Sequence, residues 1–370
     1  MSRLTVSTSL LLLSIALTAP SHGICAPKSD ADKRVKGNGV IDRVIASGSE
    51  PVFRADGYTF RILPATEVRL GKGLQTLSEV GTNTWANFEG KIDESGTIVA
   101  TKAAFAVLKV PRIKPDPNAV QVTTFPPDSK IDADNGFAAG SSPFPPADHG
   151  GWCGWYDIHR DPADQEHIRR LGLQLVPQYQ RELPANDPAK IPFRFYEVEE
   201  KQYRSPIFCG NGLILIPTDT FHRLENEDEL AALVADGVAG ALQSQAEAAR
   251  GFTWMDAAEM ASNGAFGMAG VIASEGGRGG GLIMRHKVDQ IAEHQRGRMA
   301  LALLADAGFD PRQAPETWLL LKPSHLPKDH SQLDYPERSR YLQNILETQY
   351  KTGIGGTAPA GHPATGTPIQ

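Results

Sequence analysis

The chain has 370 residues, room for two domains that each bury a core, and its 41% hydrophobic and 22% charged content is ordinary for a globular protein. A net charge of −6 with no long basic run excludes nucleic acid as a partner, because neutralising phosphates takes a basic surface. Three cysteines, Cys25, Cys153 and Cys209, show no zinc-ribbon or zinc-finger spacing.

The first residues read as a secretory signal. Arg3 supplies the positive start, Leu10 to Ala19 form an apolar run short for a bilayer span, and Ser21 and Gly23 fit a small-residue cleavage site before Ile24. A signal peptide over 1–23 is therefore expected. The protein is then exported, periplasmic or secreted, with no transmembrane segment after signal removal. Lipid anchoring at Cys25 is the rival reading, against which Ile24 is bulky. In an oxidising compartment Cys153 and Cys209 could pair, or remain two buried thiols.

Residues 35–108 alternate in the β manner. Val52-Phe53 and Tyr58 to Ile62 flank Asp56-Gly57, a hairpin turn signal. Thr84 to Ile92 and Thr97 to Thr101 flank a second turn at Glu94-Ser-Gly96. Short strands between Gly-containing turns predict a small closed barrel. Gly39-Val-Ile-Asp-Arg-Val44, Thr66 after a strand, and Gly90-Lys-Ile92 with Gly96-Thr-Ile-Val-Ala100 resemble a small OB-like bacterial envelope domain of unknown function. The basic and aromatic stripe of a strand-binding OB barrel is missing, so a scaffold or protein-contact role is expected.

Eight prolines between Pro111 and Pro146 predict an extended linker over 109–150. A second domain is expected over 151–350. It starts with a helix at Asp161-Pro162, whose apolar face is Ile168, Leu171, Leu175 and Tyr179. Strands are expected over 191–198 and 212–217, then a helix capped by Asn226 with Glu229. A Gly-rich stretch spans 264–281. Further helices are expected over about 287–307, after Asp310-Pro311, and over about 336–349. The Gly-, Thr- and Pro-rich end, 351–370, reads as a disordered tail. The fold class is α+β: a small all-β barrel followed by a mainly helical domain with a small sheet.

The informative segment is Glu229-Leu-Ala-Ala-Leu-Val-Ala-Asp-Gly-Val-Ala-Gly240. It resembles the active-site helix of the HtpX-type zinc metallopeptidases, gluzincins in which E-L-A-A-x-x-x precedes H-E-x-x-H. There two histidines at i and i+4 bind zinc and the glutamate activates water. The matching positions here are Asp236, Gly237 and Gly240. Gly212 to Pro217 with Phe221 and Leu224, Glu227 to Ala232, and Leu303 to Pro311 also resemble family segments, over roughly 157–348 in all. Counting back fourteen residues from Ala307 in its A-G-F-D-P phrase places the third zinc ligand on Glu293, and the family aspartate four residues later on Gly297. Tyr335 falls where a family histidine is common, and Arg340 where a late arginine is expected.

The resemblance thus implies a degenerate member. One ligand-type residue of three remains, and a catalytic zinc needs three. Asp236 and Glu293, with His286 or His294, form a weak candidate for a rebuilt metal site, although Glu293 and His294 diverge by about 100° on one helix. The bland alternative pairs Asp236 with Arg296 or Arg298. Gly237 and Gly240, each costing about 1 kcal/mol in a helix, are expected to admit the backbone of a neighbouring element into a filled cavity.

Other chemistry is poorly supported. Glu275 to Gly281 lacks phosphate-loop spacing, no G-x-S-x-G frame occurs, and Cys153 near His149 and His159 lies among glycines. No histidine pair has i, i+4 spacing on an expected helix. The reading is an exported peptidase-like protein, a pseudoenzyme that binds an envelope protein or peptide without a cofactor. The alternatives are a working zinc metalloendopeptidase with unorthodox ligands, and an inactive partner of a separate envelope peptidase.

Overall fold

The computed structural model describes residues 34–82, 84–108, 130–132, 137–138, 155–200, 205–208, 212–250, 278–321 and 335–350. The signal peptide, Cys25, Cys153, Cys209, His149, most of the expected linker and the expected tail lie outside them.

Five strands, β1 (Arg34–Ala46), β2 (Val52–Ala55), β3 (Tyr58–Leu70), β4 (Thr84–Ile92) and β5 (Ile98–Val107), close a barrel in the order β1-β2-β3-β5-β4. The barrel closes because β1 pairs with both β2 and β4, which leaves no free edge. At the β2–β3 hairpin Asp56 and Gly57 both have positive φ, 57° and 70°, the pairing a two-residue turn needs to match strand twist. The Asp93 carboxylate accepts the backbone N–H of Ser95 and of Thr97, at 2.9 and 3.1 Å, and so folds the β4–β5 turn. Phe53, Phe60, Phe88 and Phe105 fill the interior, with Phe60 stacked on Phe88 at 4.2 Å.

Within the proline-rich stretch the structure departs from a continuous extended linker. β6 (Lys130–Asp132) and β7 (Phe137–Ala138) pair with each other, and β8 (Trp155–Asp157) pairs with β6. Ile131 supplies the reason, since it is buried against Ile158, Val198 and Leu213 and anchors the segment to the second domain.

In that domain α1 (Pro162–Leu175) begins as expected: Asp161 accepts the Ala163 N–H at 2.7 Å and Pro162 sits in the first turn. Ile168, Leu171 and Leu175 face the core. A short helix, α2 (Gln178–Glu182), follows. β9 (Arg194–Val198) is parallel to β11 (Leu213–Pro217), and β10 (Ile207–Phe208) lies on the other side of β11. A single turn, α3 (Thr218–Phe221), leads into α4 (Glu227–Arg250). Asn226 accepts the Glu229 N–H at 2.9 Å, while Glu229 reaches back to the Glu225 N–H at 2.7 Å, one residue beyond a standard capping box.

α5 (Arg278–Ala307) starts earlier than expected, taking Gly279 to Gly281 into the helix, because its packed downstream half propagates helix through weak formers. α6 (Gln313–Leu320) and α7 (Tyr335–Gln349) complete the domain. Residues 230–241 of α4 are all buried, walled by the sheet, α1, α5 and α6. Among the described residues no helix is long and apolar enough to cross a membrane.

The barrel docks on α5. Arg298 donates to both carboxylate oxygens of Asp56 at 2.6 and 2.7 Å, and Gln295 donates to the Asn38 carbonyl at 2.9 Å. Arg54 reaches Asp42 at 2.8 Å and Asp306 at 2.6 Å, and Arg43 also meets Asp306. The turn lies so close that a Cβ on Gly57 would run into the backbone of Arg298.

Candidate functional site

The residues aligned with the peptidase motif lie where α4, α5 and α7 meet. Asp236 is 2% exposed and Glu293 7%, one on each of two packed helices. Between them stand guanidinium groups. Arg296 Nε donates to Asp236 Oδ1 at 3.2 Å, and Arg296 Nη2 lies 3.8 Å from Glu293 Oε1. Arg338 Nη2 donates to the same Asp236 oxygen from α7, and its guanidinium carbon sits 3.6 Å above the Trp318 ring. Two carboxylates and two guanidiniums make the cluster neutral. Burial pulls the Arg338 guanidinium below its ordinary value, while the Asp236 charge works to raise it.

The other motif positions are closed by packing. A Cβ on Gly240 would fall 2.5 Å from the Phe208 ring, and one on Gly237 would fall 2.7 Å from Ile214 Cγ2. Real Cβ atoms do not approach so closely. The expectation of a close backbone approach is therefore corrected: side chains of β10 and β11 occupy the space. Arg296 covers the outer side of Phe208, 5.0 Å from the ring centroid. On α5, Gly297 lets Leu342 approach to 2.9 Å of where its Cβ would stand.

This donor set does not fit a zinc ion. Two glycines offer no ligand, the Asp236 and Glu293 carboxylates face two fixed cations, and a dication would be repelled by both. His294 does not join them. It stacks on Tyr341 at 3.8 Å, and burial, with Arg298 and Arg338 nearby, pushes it down to about 4, so it is neutral at ordinary pH. The side chain of His286 lies outside the described ones. Of the expected partners of Asp236, Arg296 is present and Arg298 instead serves the barrel.

Sequence reasoning pointed to Arg340, which is exposed and only reaches the Pro336 carbonyl at 3.4 Å. The buried arginine is Arg338, two residues earlier and so on the opposite side of the helix. Tyr335, at the family histidine position, lies 3.0 Å from the Ser205 hydroxyl and packs against Trp318.

No protein-family profile matches the chain. It is 29% identical over 167 residues to a protein of Vibrio cholerae serotype O1 named "Putative beta-barrel assembly-enhancing protease". The match takes in 43% of this chain and 33% of that protein, so the chain spans about a third of its relative's length. The protease name agrees with the peptidase-type order of elements read from residues 157–348.

Proposed function

We propose that this chain is a peptidase-like protein of the cell envelope that holds its clients without cleaving them. The observation that supports this reading is the Asp236–Arg296–Arg338–Glu293 cluster beneath Gly237 and Gly240. Hydrolysis by a zinc peptidase needs an open position on a triply held metal and a carboxylate that takes a proton from the bound water. Here the metal's positive charge is supplied by guanidiniums, which stay protonated and cannot activate water. The position of the general base is a glycine packed against Ile214. Clients are taken to be envelope proteins or peptides, by extension from the barrel-assembly name of the Vibrio relative. Export by the expected signal peptide belongs to the same proposal.

The test uses the full chain with casein and an unfolded β-barrel envelope protein as probes. Both are expected to bind with a chelator present, and to remain intact on gels for hours after zinc is added. Chelator-sensitive cleavage by the purified protein would return it to the working peptidases. Cleavage only when a second envelope peptidase is added back would make it that enzyme's inactive partner.

A further inference from the structure

Apart from the motif residues, four elements converge on a second cluster. The turn after β8 supplies His159, the first turn of α1 Asp164, β9 Glu197, and the residue after α3 His222. One ligand atom from each lies within 4.8 Å of all the others. Glu197 is fully buried, and neither carboxylate oxygen has a hydrogen-bond partner. The Thr218 hydroxyl beside it donates instead to the Val198 carbonyl at 2.9 Å. Buried polar groups in native proteins are nearly always paired, so an orphaned carboxylate aimed into a cluster of ligand-type atoms indicates a missing partner.

The surrounding structure holds these groups in place. The His159 N–H donates to the Glu197 carbonyl at 2.9 Å. The Gln165 amide donates to the carbonyls of His159 and Glu197, and accepts the Glu197 N–H at 3.0 Å. Glu199 Oε1 lies 2.6 Å from His159 Nδ1. A carboxylate on one ring nitrogen is the usual way a metal-binding histidine is oriented, and it leaves Nε2 free to ligate. That Nε2 faces Asp164 at 3.7 Å. The carboxylates of Asp164, Glu197 and Glu199 thus gather around the His159 imidazole.

We propose that His159, Asp164, Glu197 and His222 hold one divalent transition-metal ion, zinc by their donor set, which ties the small sheet to α1 and α3. Two imidazoles and two carboxylates suit zinc, whereas calcium and magnesium take shells made of oxygen. Tetrahedral zinc ligands stand roughly 3.3 Å apart, so the donors need to draw in by about 1.5 Å at most, and the half-buried Asp164 and exposed His222 have room to do so. Four protein ligands leave no open position, which makes the ion structural and not hydrolytic. The site is independent of the Asp236 cluster and of the proposed loss of peptidase activity.

Zinc is titrated into chelator-treated full chain against a colorimetric competitor, with thermal melting in parallel. One equivalent is expected to bind and to raise the melting temperature by several degrees. His222→Ala removes an exposed side chain and is expected to weaken binding at least tenfold while leaving the zinc-free melting temperature unchanged. Asp164→Asn is expected to do the same, and Glu293→Gln to leave zinc binding as in the parent. Folded protein that takes up no zinc overturns the proposal. So does binding that survives both His222→Ala and Asp164→Asn, or binding that is lost with Glu293→Gln.

Discussion

Asp56→Ala is expected to destabilise the protein by about 3–5 kcal/mol, read as a lower urea midpoint, although it removes one small side chain from a barrel turn. The reason is what it leaves behind. Arg298 is 8% exposed, donates to both Asp56 oxygens and to the Asp56 carbonyl, and lies 4.4 Å over the Tyr58 ring. Without the carboxylate a buried guanidinium loses its counter-charge at the centre of the interface between barrel and helical domain. Burial pushes the Asp56 carboxyl up to about 6 even with the Arg298 charge beside it, so desolvation offsets part of the attraction within the pair. The pair sits where the β2–β3 turn meets α5. An Asp56→Leu, Arg298→Met double variant is accordingly expected to lose clearly less than Asp56→Ala alone, about 1–2 kcal/mol for leucine at a φ of 57°, because an apolar pair has no charge to desolvate. A parent-like midpoint for Asp56→Ala alone would show that the interface does not depend on this pair.

Asp236→Ala should cost a similar ~3–5 kcal/mol, and here the sign matters as much as the size. Residues kept for chemistry are often held against the interests of stability, and replacing them tends to stabilise a fold. Asp236 is different. It accepts from Arg296 and Arg338 at once, and Arg338 is sandwiched between it and Trp318. Removing the carboxylate leaves two guanidiniums pressed together in a dry site. A stabilised Asp236→Ala variant, by thermal or urea unfolding, would mean that Asp236 is an idle remnant and not the keystone of the cluster.

How far the sequence could be read follows from how local each signal is. Asp161-Pro162, Asp56-Gly57 and Asn226 with Glu229 each encode a cap or turn within a few residues, and all three are found. The closed barrel is found as well, because alternation and turn residues suffice to specify it. What failed depended on partners far along the chain. Glycines at 237 and 240 reveal a close approach but not by what, and the answer, Ile214 and Phe208, lies on other elements. Arg338 and Arg340 look equivalent in sequence, and only the rotation of α7 against Trp318 separates them. The cluster of His159, Asp164, Glu197 and His222 carries no i, i+4 signature, since no two of its members share a helix. One local hint existed: His159 and Asp164 flank the Asp161 cap, which folds the chain back and brings them together.

In the proposed function, arginine takes over the charge that a metal supplies in a working zinc peptidase. The most direct test is an experimental structure of the full chain soaked in zinc, with diffraction recorded on both sides of the zinc absorption edge. Continuous guanidinium density for Arg296 and Arg338 against Asp236, with no anomalous peak between Asp236 and Glu293, is the predicted result. An anomalous peak between those two carboxylates, with the arginines displaced, would contradict it.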